Sequence, residues 1–232
     1  MKKISALLAL ILMLSCAEDK LNFVLKGNIK DLMKGTVYLQ KLNDTTLVTI
    51  DSLVINGNPE FELGTELESP EVLYLKLHKN DNEEHIIPFF AAEGITEINS
   101  NLKNFELDTK INGSKQQEKW AEYKKMMKRF QDQNLDLIKD NFDAQKDKDT
   151  AKLNATIKSH DNLLKRRYLY TVNFAINNKD SEVAPYLLVS EIYDANLKYL
   201  DTVNKVLSPE VKASKYGKEL QYLIDKRKAD SI

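Results

Sequence analysis

No glycine or proline interrupts the chain from Ser114 to Ala184. Inside a helix a glycine costs about 1 kcal/mol and a proline about 3 kcal/mol relative to alanine, so a stretch without either suits long helices. Trp120, Tyr123, Met127, Phe130, Leu137 and Ile138 recur there at helical spacing, as do Leu153, Ile157, His160, Leu164, Tyr168, Thr171 and Phe174. Ser114 with Gln117 three residues on is a capping-box start. The polar run Asp143 to Lys152 is expected to turn the chain back, giving a long helical hairpin and not one continuous helix. Beyond "NNKDSEV", Ser181 is expected to cap a third helix through Tyr193. Ser208-Pro209-Glu210 starts a short helix, with serine at the N-cap and proline at the first position. Tyr216 to Arg227 forms the last.

Before Ser114 the periodicity is two. Leu21, Phe23, Leu25 and Ile29 share one face of a strand, with Gly27 where a bulge or a close approach is expected. "GTVYLQKL" and "TTLVTIDSLVI" follow, and "NGNP" (Asn56 to Pro59) reads as a hairpin turn into "EFELGTEL". "EVLYLKLH" and "HIIPFFAAE" flank the polar turn "KNDNEE". Gly94 opens "GITEINS", and Phe105, Leu107, Thr109 and Ile111 give a last alternating strand. Seven or eight short strands imply an antiparallel β-sandwich or open barrel. The fold class is α+β: a β-rich domain over 21–114, then an α-helical hairpin or bundle over 115–232.

The first twenty residues are of another kind. Lys2 and Lys3 precede the apolar run Ile4 to Leu14, with small Ser15 behind it, the order of a secretory signal. As a helix that run reaches roughly 16 Å, about half a bilayer core, too short for a retained span. Cleavage after Ala17 is one reading. The sharper one resembles a bacterial lipoprotein signal over 1–15, cut before Cys16, whose sulfur takes a diacylglycerol, with 16–20 as the tether. Ala17 and Glu18-Asp19-Lys20 resemble outer-membrane sorting and surface-export signals. Two or three acyl chains, at about 0.8 kcal/mol per buried methylene, hold a protein stably on a bilayer.

Removing Lys2 and Lys3 takes the formal charge from −1 to −3. Charges of both signs are interspersed, with none of the basic blocks that a phosphate backbone requires, so nucleic acid is not an expected partner. Cys16 is the one cysteine, so no intrachain disulfide forms.

Phe23-x-Leu25-x-Gly27-x-Ile29, Gly35-x-Val37-Tyr38-Leu39, Asp51-Ser52, Phe61-x-Leu63 and "INGS" (Ile111 to Ser114) together resemble the domain of unknown function 4369. The segment "LSPEVKASKYGKELQYLIDKRK" resembles the helices that lead into a thioredoxin-like domain in many relatives. The resemblance implies a Bacteroidota envelope lipoprotein of the kind often labelled thiol:disulfide interchange protein. This sequence departs from that pattern, because it contains no Cys-x-x-Cys. Thiol–disulfide exchange needs an attacking thiolate and normally a resolving partner, and an acylated Cys16 supplies neither.

Candidate chemistry is sparse. His78 and His85 flank the turn that carries Asp81, Glu83 and Glu84, an N/O set that zinc accepts if the hairpin brings them together; solvated turn residues are the ordinary alternative. His160 is expected as a hydrogen-bonded core histidine. No Gly-x-Ser-x-Gly elbow, P-loop or His-Glu-x-x-His occurs. Asp-Ser/Thr tripeptides of the Bacteroidota O-glycosylation type fall at Thr150, Thr45 and Thr202, and also at Ser52 and Ser231, with Thr150 in the expected bend. The expectation is a non-enzymatic envelope interaction or scaffolding module with no cofactor, bound to the bilayer through Cys16 and to an envelope protein. The alternatives are a metal-, small-ligand or glycan-binding envelope protein, or a redox-inactive accessory to a thiol–disulfide exchange system.

Overall fold

A computed structural model describes residues 21–79, 81 and 83–230; Cys16, with the whole expected signal and tether, lies outside them. The strands are β1 (Phe23–Lys30), β2 (Lys34–Asn43), β3 (Thr46–Asn56), β4 (Glu60–Thr65), β5 (Glu71–His78), β6 (His85–Ala91), β7 (Gly94–Asn101) and β8 (Lys110–Asn112). They form two open four-stranded sheets, ordered β4-β1-β7-β8 and β3-β2-β5-β6. Every pair is antiparallel except β1 with β7, which run parallel.

Period-two alternation sends Phe23, Leu25 and Ile29 of β1 into the space between the sheets, where they meet Leu75, Leu77 and Phe89. The Phe23 and Phe89 rings stack at 6.1 Å. Gly27 serves a close approach and not a bulge: its register partner is Phe61, and a Cβ there would stand 2.0 Å from that ring.

Two expected strand features resolve differently. Asn56 to Pro59 does not close a hairpin, because β3 pairs with β2 while β4 pairs with β1 in the opposite sheet. Gly57, at φ +93, turns this corner in a conformation that side chains resist. The Asp51 carboxylate then ties the two sheets by accepting from the Gly64 N–H at 2.8 Å. Phe105 to Thr109 is a set of turns, and Leu107 is 88 % exposed. There Asp108 accepts from the Asn101 and Asn104 side-chain amides, and its N–H donates to the Asn104 carbonyl. Such local bonds compete with the sheet ladder and shorten the last strand to β8.

The helices are α1 (Lys115–Lys146), α2 (Thr150–Asn177), α3 (Val183–Ser190), α4 (Leu197–Val206), α5 (Pro209–Ala213) and α6 (Lys215–Ala229). α1 and α2 make the expected hairpin, and Asp149 caps α2 by accepting from the Lys152 N–H at 2.9 Å. Their seam runs through Leu137, Asn141, Thr156 and Leu163, with the Asn141 amide donating to the Thr156 hydroxyl at 3.0 Å. This seam leaves His160 on the outside, so it is an exposed residue and not a core histidine. α3 stops at Ser190, short of Tyr193, where the chain enters turns. α4 was not expected; Asn196 caps it by accepting from the Lys198 N–H. Ser208 and Ser214 cap α5 and α6.

Candidate functional site

β5 and β6 are covered on both faces at the end that carries Val72, Tyr74 and Phe90, while His78 and Pro88 leave the outer face exposed farther along. Leu73, Leu75 and Leu77 point between the sheets, so Val72 and Tyr74, with Phe90 of β6, face the helices. Trp120, Tyr186 and Tyr216 close on Phe90 edge-on, with centroids 6.1, 5.5 and 6.0 Å away. Each such pair contributes about 0.5–1.5 kcal/mol beyond area burial. Ser114 caps α1 as expected by accepting from the Gln117 N–H. The Gln117 side chain does not return to Ser114; it accepts from the Phe90 N–H at 2.8 Å. Across the same joint the Tyr216 hydroxyl accepts from the Val72 N–H at 2.9 Å, and Lys215 forms an ion pair with Glu71.

Beside this joint lies a cleft of about 1450 Å³ between the β-unit and the helices. The β2–β3 turn, the β4–β5 connection, the residues after β6, and α3, α5 and α6 all contribute to its walls. Nine carboxylate side chains line it against three lysines, together with Tyr74, Tyr186 and Tyr216. Glu66, Glu68, Glu93 and Glu210 are exposed within it, whereas Glu182 is buried and receives a hydrogen bond from Gln116. Burial raises the Glu182 carboxyl above the ordinary glutamate range and pushes the Tyr186 phenol up to about 12.

That shift has a sign that can be checked. A carboxyl whose folded pKa is raised destabilises the fold where it must ionise, at pH above the raised value, and ceases to do so below the unfolded value. Glu182→Gln is therefore expected to be more stable than wild type at neutral pH. The gain should vanish as pH falls toward the ordinary glutamate range. Urea midpoints at several pH values test this; a gain that persists in acid would assign the effect to packing instead.

The β5–β6 hairpin brings part of the expected histidine turn together. His85 Nε2 lies 3.0 Å from Asp81 Oδ2 and 3.8 Å from Glu83 Oε2, and the His85 ring packs edge-on against Phe105. His78 is not with them: Leu77 is the register partner of His85, so the next side chain points to the other face of the sheet and is exposed. Asp81, Glu83 and His85 could hold a cation, but Lys79 already supplies one to Asp81 at 2.9 Å. Hydrogen bonds from His85 and Lys79 hold the Asp81 carboxyl down to about 2, as expected of an ion-paired turn clamp.

Thr150 begins α2 in the exposed bend, and Thr45 is exposed in the β2–β3 turn beside Asp44 at φ 52. Thr202 is exposed on α4, with its hydroxyl donating to the Lys198 carbonyl at 2.7 Å. The cleft carboxylates were not singled out by sequence. They come from segments far apart in the chain, and no local pattern connects them.

Residues 23–120 match the family model described as Domain of unknown function (DUF4369). The match runs from β1 through Trp120, and so takes in both sheets and the part of α1 that packs on Phe90. No curated protein matches the chain.

Proposed function

We propose, from the premise that residues 23–120 are a domain of the DUF4369 family, that this protein is a lipid-tethered, non-catalytic interaction module of the cell envelope. Its cleft takes a cationic segment of a partner protein. The observation that carries this reading is the nine-to-three excess of carboxylates over lysines in one cavity. Carboxylates gathered along one cleft give it a negative potential, which favours a lysine- or arginine-bearing occupant. Tyr74 and Tyr186, both half-buried, add rings suited to such side chains. In this reading the scaffold is passive, Cys16 fixes it to the bilayer, and any chemistry belongs to the partner.

The test uses a fluorescent oligolysine peptide and the purified chain from Ala17 onward. Binding should weaken with added salt and fall about tenfold or more in the Glu68→Lys, Glu93→Lys double variant, since removing or reversing charges at a contact acts through ion pairing. Equal binding by the variant would contradict the cleft as the site. In cells the protein should incorporate labelled palmitate and the Cys16→Ser variant should not; no incorporation into the wild type, or equal incorporation into both, would contradict the tether.

A further inference from the structure

The α1–α2 hairpin projects an apolar face that nothing among the described residues covers. Leu135, Ile138 and Phe142 recur at i, i+3 and i+7 on α1, and Ile157 and Leu164 at i and i+7 on α2. All are exposed, Phe142 to 68 % and Leu135 to 57 %. The two stripes lie on the same side of the Leu137–Leu163 seam. The other side is a polar groove lined by Gln133, Asp136, Ser159, Asn162 and Arg166. Nearer the body the apolar side is roofed: Tyr168 and Val172 of α2 pack with α3 and α4, and the Tyr168 hydroxyl donates to Asp194 at 2.9 Å. Beyond Tyr168 the roof ends while the apolar face continues.

The charges sort with the faces. Lys128, Lys139 and Lys146, at i, i+11 and i+18, follow the edge of the α1 stripe. Lys158 and Lys165, at i and i+7, do the same on α2, and all five are exposed. Asp132 and Asp161 are the acidic residues of that edge. Asp136, Asp140 and Asp143 fall on the polar-groove side. An apolar stripe whose edges carry five lysines against two carboxylates is the pattern of a helix lying in a membrane interface. None of the described helices is long and apolar enough to cross a membrane.

We infer that this face of the hairpin docks on an anionic lipid surface, with the apolar residues entering the headgroup boundary and the lysines meeting the lipid charge. Docking goes beyond the cleft reading and does not depend on acylation, so it is tested without Cys16. The chain from Ala17 onward, which keeps every described residue, is sedimented with vesicles of phosphatidylethanolamine and phosphatidylglycerol, or of phosphatidylcholine alone. The anionic vesicles should bind it about tenfold more tightly. Ile138→Ser with Phe142→Ser, and separately Lys139→Glu with Lys146→Glu, should each weaken that binding about tenfold or more. Asp136→Asn with Asp140→Asn, on the opposite face, should leave it unchanged or tighter. Equal partition to both vesicle types would overturn the inference. So would a dimer in sedimentation equilibrium that the serine pair abolishes, because the face would then belong to a second copy.

Discussion

Gly217→Ala is expected to destabilise the protein by about 3 kcal/mol or more, at the upper end of what overpacking costs. Helix propensity alone predicts the opposite, a gain of about 1 kcal/mol for replacing a helical glycine by alanine. Contact decides the sign. A Cβ at this position would stand 2.0 Å from the Val211 carbonyl oxygen and 2.7 Å from both the Lys212 Cα and carbonyl oxygen. These are backbone atoms of α5 and its end, and no rotamer change moves them. α6 would have to lift, taking with it Tyr216 and the hydrogen bond from the Val72 N–H. A urea midpoint at or above the wild-type value would mean that α5 and α6 are not packed this closely.

Phe90→Ala carries the second large effect, about 3–5 kcal/mol for emptying a buried aromatic site. Phe90 is fully buried and is the common contact of Trp120, Tyr186 and Tyr216, which come from three different helices. Truncation opens a cavity at the joint, not within either core, so the β-unit and the helices should lose cooperativity as well as stability. Unfolding followed by far-ultraviolet circular dichroism and by Trp120 fluorescence should no longer coincide, the sign of a failed two-state transition. Phe90→Leu, which keeps much of the volume, should be milder. Coincident transitions in the alanine variant would place the coupling elsewhere.

The alternating residues of β1 and β5 revealed which side chains fill the space between the sheets, because a pleated strand leaves little choice once one face is apolar. The long helices were equally legible from the missing glycine and proline and from Ser114. Harder to read was which of two neighbouring stripes on α2 would be buried. Ile157 and Leu164 are the more apolar choice, yet the seam uses Thr156 and Leu163, and there the Asn141 amide donates to the Thr156 hydroxyl. That choice exposes His160 and leaves the apolar stripe outside. Pairing at Asn56 to Pro59 also escaped local reasoning, since a glycine turn looks the same whether the next strand joins its neighbour or crosses to the other sheet. The histidine turn was half legible: a hairpin brings Asp81 and His85 together, while the period of two turns His78 away. The cleft was hidden entirely, for Glu66, Glu93, Glu182 and Glu210 meet only after both halves have packed.

The binding claim is tested most directly inside native envelopes. A photoreactive residue in place of Lys218, which lines the cleft, is compared with one at Glu62 on the exposed side of β4. Illumination should join the Lys218 position to one reproducible partner, through a segment rich in lysine or arginine. The adduct should disappear when Glu66, Glu68 and Glu93 are changed to lysine. No adduct at Lys218, or one that survives the reversal of those three charges, would contradict the account.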